Sequence, residues 1–334
     1  MAKYNKYVKL GPPTAAAPGA DIAMVKVAQK YPNAVAVLED MSMPAIDWFM
    51  ENAPSRIVEC GIAEANGAVI AGALASEGFM PFLHGLTFAV VERAYNQIRQ
   101  SILIDHFNVK IMGIEGAWGP YGASHNVIEG IGCTRVLPNL VILDAADVVE
   151  AEKAFIAMAD YVGPVFFRID GQSPLPMRIF TDDYPFEIGK AYSIKDGKDA
   201  TIIATGYMVT EAIRAVDILE KDGLNVGILN MSTLKPMDEE AIIKAAEETR
   251  AIVTAENGTI IGGLGEGVAA ILGENVPIAF ARFGVKDEFS QSAKLSPEKD
   301  ELKVHFGLSA EDLASLVKEC IARKNKIKFH RKKI

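Results

Sequence analysis

Apolar residues in this chain come in two kinds of run. Short, almost unbroken ones bounded by turn residues read as buried strands, at 34–38, 56–60, 109–114, 141–143 and 163–168. Longer stretches of helical composition lie between them: about 21–31, an Ala-rich run from Glu64 onward, a stretch containing 92–99, and 148–160. Prolines and paired aspartates between Pro174 and Pro185 mark a linker. Beyond it the alternation resumes, with strands at 201–204, 226–230 and 252–255 and helices at 209–219 and 238–247. Strand and helix in alternation implies mostly parallel pairing, because parallel neighbours need a crossover connection. The chain therefore reads as α/β with two domains, each a mostly parallel sheet flanked by helices. An irregular Pro/Gly/Ala-rich lead covers 1–20, the first domain 21–185, the second 186–325 and a basic tail 326–334.

Composition narrows the class. The 334 residues, half of them hydrophobic, suffice for two cored domains. No apolar run reaches the roughly 18 to 20 residues of a membrane span, and the first residues lack the apolar core of a signal peptide, so a soluble, cytoplasmic protein is expected. Cys60, Cys133 and Cys320 are odd in number and widely spaced, which favours buried reduced thiols over disulfides or a zinc site. A formal charge of −9 argues against a nucleic-acid surface; only 323–333 is strongly basic, and a solvated terminus accounts for it.

Candidate chemistry gathers where strands end, the places at which open α/β sheets bind ligands. Glu64 stands at the switch from the strand at 56–60 to the Ala-rich helix, among small and apolar neighbours. There it either complements the helix dipole in solvent or, desolvated, has its pKa raised enough to give up a proton near neutrality. Glu39 and Asp40 end the first strand, where they begin a surface loop or meet a ligand. A glycine-rich loop at 115–125 lets backbone approach a ligand, and His125 at its end can titrate near pH 7. The glycines at 262–267 match neither a dinucleotide fingerprint nor a nucleotide loop, so they read as close packing at a helix start.

The Gly-Ile-Ala-Glu-Ala-Asn string at 61–66, and the chain after it, resembles the pyrimidine-binding region of transketolases and related thiamine-diphosphate enzymes. The Tyr-Gly-Ala-Ser-His loop at 121–125, the Arg-x-x-Pro-Asn string at 135–139 and, in the second domain, the strings at 234–238, 256–258 and 283–289 resemble the same family. The resemblance implies that Glu64 binds the ring nitrogen of the cofactor's aminopyrimidine. Protonation there favours the imino tautomer, which removes the thiazolium proton and leaves the nucleophilic ylid. It further implies that Phe88 stacks on the aminopyrimidine, a contact of ~1 kcal/mol, although core packing explains an aromatic there equally well. Asp40 would lie near the cofactor. His125 would contact the reacting oxygens of the sugar, with Ser124 and Tyr121 beside it. His84 reads as a loop histidine.

Members of the family also carry a Gly-Asp-Gly string that holds Mg²⁺ and the diphosphate, and none occurs here. The chain thus looks like the C-terminal subunit of a split transketolase, without a metal site of its own. The resemblance implies an N-terminal partner subunit that ligates Mg²⁺, bound thiamine diphosphate, and a two-plus-two heterotetramer transferring a two-carbon ketol unit from a ketose to an aldose. The family's phosphate-binding histidine and arginine fall on Gly113 and near Gly171, leaving Arg168 as the nearest cation. Two lost charge-assisted contacts of ~1.5–3 kcal/mol each disfavour ordinary sugar phosphates and point to a specialised sugar, a branched-chain phosphate or a sulfonated ketose. Two alternatives stay open. One is a decarboxylating enzyme on the same cofactor, similar to deoxyxylulose-phosphate synthase or to the beta subunit of a 2-oxo acid dehydrogenase; the loop at 121–125 and Asp287-Glu-Phe289 argue against the latter. The other is a non-catalytic paralogue, against which Glu64 and His125 together argue.

Overall fold

Ala34–Leu38 is buried along its whole length, as a strand must be when helices cover both faces of its sheet. The computed structural model, which describes residues 4–41, 43–118, 122–170, 175–292 and 301–326, places it near one edge of a seven-stranded sheet. This strand, β1, pairs in parallel with β2 (Ile57–Glu59) on one side and β3 (Met80–Leu86) on the other. With β4 (Lys110–Glu115), β5 (Val141–Asp144) and β6 (Val165–Asp170) the parallel order is β2-β1-β3-β4-β6-β5. The expected strand at 56–60 shrinks to β2 and is half-exposed instead of buried, because an edge strand has a neighbour on one side only.

The helices of this domain are α1 (Ala17–Lys30), α2 (Pro44–Asn52), α3 (Glu64–Ser76), α4 (Tyr95–Ile98), α5 (Gly130–Arg135) and α6 (Val148–Asp160). Period-two alternation sends Ala36 and Leu38 of β1 into a core with Met24, Phe49 and Phe155 from α1, α2 and α6. It sends Val37 to the other face, against Ala68 and Ala71 of α3. Helix α1 begins earlier than expected, since Pro18 falls in its first turn, where a missing N–H costs nothing. The lead before it is not free either: Val8 and Pro13 bridge to Phe180 and Met177, and Tyr4, Tyr7 and Val8 pack on the core of the second domain.

That second domain holds β7 (Tyr192–Lys195), β8 (Ala200–Ala204), β9 (Val226–Asn230), β10 (Thr233–Lys235), β11 (Ala251–Thr259) and β12 (Ala279–Val285). Five of these form the sheet β12-β11-β8-β9-β7, parallel except for β7. Its helices are α7 (Met208–Lys221), α8 (Glu239–Thr249), α9 (Leu264–Asn275), α10 (Glu301–His305) and α11 (Ala310–Lys326). Strand β10 crosses back and pairs antiparallel with β5, so the first sheet contains a strand from the second half of the chain. Helix α9 starts at the glycines of 262–267, and the buried Glu256 carboxylate accepts from its Leu264 and Gly265 N–H groups. Among the described residues no helix is long and apolar enough to cross a membrane. Cys60 and Cys133 are half-buried and Cys320 is buried, and none of the three is in a disulfide.

Polar contacts fasten the two domains. Arg168 of β6 donates to Asp144 of β5 at 2.8 Å and to the carbonyl of Asn257 in β11, and Thr205 donates to the same Asp144 oxygen at 2.8 Å. Glu150 of α6 accepts from Tyr184 at 3.0 Å and from Asn230 at 2.8 Å. Burial pushes the Glu150 carboxyl up to about 8, so it stays neutral at this seam near pH 7.

Candidate active site

From β1 the chain moves outward to β2 and then returns past β1 to β3, so the switch in strand order lies between β1 and β3. A crevice at the carboxyl ends of these strands follows from the topology. Glu64 opens α3 directly after β2, and Phe88 follows β3 at the start of a wide-turned helical segment, Phe88–Arg93. Such π-type turns widen the helix and recur at functional sites. Arg93 at its end donates from Nη1 to Glu64 Oε1 at 2.6 Å, and its guanidinium carbon stands 4.9 Å from the Phe88 ring centre. The Glu64 side chain is 11 % exposed and that of Arg93 55 %, so the pair closes over the carboxylate from the solvent side. Glu64 is therefore a buried, ion-paired acid and not a solvated first-turn residue.

His125 completes the cluster. Its ring lies 4.2 Å from Phe88, centre to centre and tilted by 55°, and its Nδ1 is 2.7 Å from the hydroxyl of the exposed Ser124. The turn carrying it is held by His125 and Asn126 N–H groups donating to the Gly122 carbonyl, with Gly122 at φ +77°, a backbone conformation that favours glycine. Glu64, Phe88 and His125, proposed from separate parts of the sequence, are thus gathered within one cluster, linked by Arg93. Tyr121 lies outside the described residues.

Two sequence expectations fare differently. Arg168 has no exposed surface and its guanidinium is held by Asp144 and Asn257, so burial removes it from the residues a substrate could touch. His84 belongs to β3 rather than to a loop; it is buried, and desolvation lowers its pKa to about 4.

The acids at the end of β1 diverge. Asp40 is exposed, at φ 55°, with its N–H bonded to Glu59 Oε1 at 3.0 Å. Glu39, one residue earlier, keeps the parity of Val37 and turns in beneath α3. It is 6 % exposed, and neither carboxylate oxygen has a hydrogen-bond partner. Arg93 was not singled out from the sequence, and Glu39 was read there only together with Asp40, as an acid at a strand end. Strand parity separates Glu39 from Asp40, whereas nothing local distinguishes Arg93 from other helix-surface arginines. Among the described residues no group of three or more His, Cys, Asp or Glu could hold a metal ion. A separate cleft of about 650 Å³, lined by Tyr95, Cys133, Ile261, Lys286 and Phe289 among others, includes none of Glu64, Phe88 and His125.

Comparison with known proteins gives a consistent set of likenesses. Residues 16–173 match the model of the transketolase pyrimidine binding domain, and residues 189–313 that of the transketolase C-terminal domain. The 6-deoxy-6-sulfo-D-fructose transketolase subunit of Clostridium sp. (strain MSTE9) is 35 % identical over 305 residues, covering 90 % of this chain and 93 % of that one. An apulose-4-phosphate transketolase subunit of Phocaeicola vulgatus is 34 % identical over 303 residues, covering 90 % and 95 %. Among solved structures, a split gene transketolase described as an inactive beta4 tetramer superposes with a TM-score of 0.84 at 34 % identity, covering 93 % of this chain and 99 % of its own.

Proposed function

This chain belongs to the transketolase family, and from that premise we propose that it is the C-terminal subunit of a split transketolase, transferring a two-carbon ketol unit from a ketose to an aldose. The observation that carries the reading is the cluster of Glu64, Phe88 and His125 at the switch point of the first sheet. Thiamine diphosphate, which the family implies, needs a sheltered carboxylate and an apolar ring face for its aminopyrimidine. Arg93 tests that fit: a planar group with N–H donors already bonds Glu64 and lies over Phe88, so the pair accepts a ligand of that shape. When bound, the cofactor supplies a carbon nucleophile, chemistry that side chains lack. In this reading Glu64 holds the ring nitrogen and places a proton there, and Phe88 fixes the ring plane. Asp40 stands at the rim, and His125, oriented through Ser124, binds and protonates oxygens of the sugar. Tyr121 is kept as a candidate sugar contact.

Mg²⁺ and the diphosphate are assigned to an N-terminal partner subunit in a two-plus-two assembly, a reading supported by relatives named as subunits and by a split-gene neighbour. The sugar is proposed to be a specialised ketose. Two relatives are named for a sulfonated sugar and for apulose 4-phosphate, and the buried Arg168 supplies no anion contact. Mixing the chain with its partner subunit, thiamine diphosphate, Mg²⁺ and candidate ketoses should give ketol transfer that Glu64→Ala abolishes. Full activity in that variant would refute the assignment, and release of CO₂ from pyruvate would favour the decarboxylating alternative.

A further inference from the structure

One side chain ties together the two turns that leave β1 and β2 at the crevice. Glu59, the last residue of β2, is exposed, and its Oε1 accepts two backbone N–H groups, that of Asp40 at 3.0 Å and that of Gly61 at 2.8 Å. Both residues stand in the left-handed region, Asp40 at φ 55° and Gly61 at φ 64°. A Cβ on Gly61 would meet nothing within 4 Å, so the glycine serves the turn and not a close contact. At Asp40 the same conformation falls to a residue that adopts it less readily, and an outside constraint holds it there.

The path from that one oxygen to Glu64 is short. The Gly61 N–H is bonded to Glu59, the Gly61 carbonyl accepts from the Ala63 N–H at 2.7 Å, and Ala63 is the N-cap of α3, whose first residue is Glu64. Ala63 has no side chain that caps the helix, so the turn before it depends on bonds made further back. Strand pairing supplies the base of the junction: Leu38 lies opposite Glu59 in register, and the Cys60 N–H donates to the Leu38 carbonyl at 2.9 Å. Glu59 carries the junction past that last ladder bond. We propose that Glu59 is a positioning residue for Glu64: its carboxylate staples the turn that opens α3 to the end of β1, and so fixes how Glu64 enters the crevice. It acts through the backbone, as an acceptor. The inference rests on the proposed role of Glu64, but its structural half is read in this chain alone.

In the full chain without a partner, Glu59→Ala should speed amide hydrogen exchange at both Asp40 and Gly61 by ~tenfold or more, the effect of losing bonds to a charged acceptor. It should also shift the ¹³C-carboxyl resonance of Glu64, which reports the contact with Arg93. Glu59→Gln keeps an acceptor oxygen and should restore most of the protection and of the resonance. Unchanged exchange in Glu59→Ala, or an unmoved Glu64 signal, would overturn the proposal whatever the enzyme does. In the reconstituted enzyme, Glu59→Ala should lower kcat roughly tenfold, as a small misplacement of a reacting group does. The KM of the sugar should stay unchanged, because the turn carrying His125 is held by bonds of its own. Glu59→Gln should recover most of the rate. Full activity in Glu59→Ala, or a Glu59→Gln enzyme as slow as the alanine variant, would also overturn the proposal. If thiamine diphosphate binds to no form while exchange and the Glu64 resonance respond as stated, the cofactor reading fails and Glu59 still positions Glu64.

Discussion

Replacing Arg168 with methionine removes a guanidinium that has no exposed surface and leaves two groups stranded. Asp144 keeps one donor, the Thr205 hydroxyl at 2.8 Å, and the Asn257 carbonyl loses its Arg168 partner. A buried pair broken on one side costs ~3–5 kcal/mol, because the remaining charge stays desolvated. The loss has a pH signature. Burial already raises the Asp144 pKa, and Arg168 opposes that rise. Without the arginine the folded carboxyl holds its proton to higher pH than the unfolded one. The variant therefore loses stability as pH climbs above the carboxylate range and regains it, by ~1.4 kcal/mol per unit, as pH falls back towards 4. Urea unfolding at pH 5 and pH 8 measures both effects, and the double variant Asp144→Leu, Arg168→Met should recover most of the stability by replacing the pair with apolar volume. A single variant with the wild-type midpoint and a raised KM for the sugar would refute the reasoning and return Arg168 to the substrate.

Two further substitutions probe the same sheet. His84 has a folded pKa of about 4, so the unfolded chain takes up a proton first as pH falls below its ordinary 6.5. Stability should drop by ~3 kcal/mol between pH 6.5 and 4, and His84→Leu should flatten that limb in acid unfolding curves. Arg93 shares both partners with the proposed ring, and a half-exposed ion pair is worth only ~0–1 kcal/mol. Arg93→Met should therefore tighten thiamine diphosphate binding in the reconstituted enzyme by at most about fivefold in calorimetry; weaker binding would mean that the guanidinium supports the bound ring.

Regular elements were legible because their signals are local. Continuous apolar runs such as 34–38 and helices such as Val148–Asp160 bury one kind of face over enough residues to be recognised alone. Strands β3, β7, β10 and β12 were not: Pro81, His84 and Gly85 interrupt the first and Arg282 and Gly284 the last, while β7 and β10 are three or four residues long and stabilised by partners far away in the chain. The same distinction governs the site. Glu64 stood out as an acid at a helix start, but the fate of Glu39 depended on which face of β1 it continued, and Arg168 on a partner in the neighbouring strand. An arginine closing the run Val165-Phe166-Phe167 is a sign of a buried pair in its own right. Asp144 stands opposite it in register, so parity and pairing together would have taken Arg168 out of the substrate set.

The second domain contributes none of the four clustered side chains, yet it shapes the site through the His125 turn. Gly122 packs against Ser292, whose hydroxyl would lie 2.7 Å from any Cβ placed there. Asn126 donates to Ser290 at 3.3 Å, and Ser290 donates to the Ala117 carbonyl at 2.7 Å. The Ala117 N–H is bonded to the Asn257 side chain at 2.8 Å, and the Asn257 carbonyl is held by Arg168. A continuous chain of hydrogen bonds thus runs from the buried Arg168–Asp144 pair at the domain seam to the turn that carries the imidazole beside Phe88. Because catalytic geometry tolerates displacements of only about half an ångström, the buried pair at the domain seam acts on the site by fixing where a loop can rest. Exposed to solvent, Arg168 could no longer hold the Asn257 carbonyl through which that chain passes.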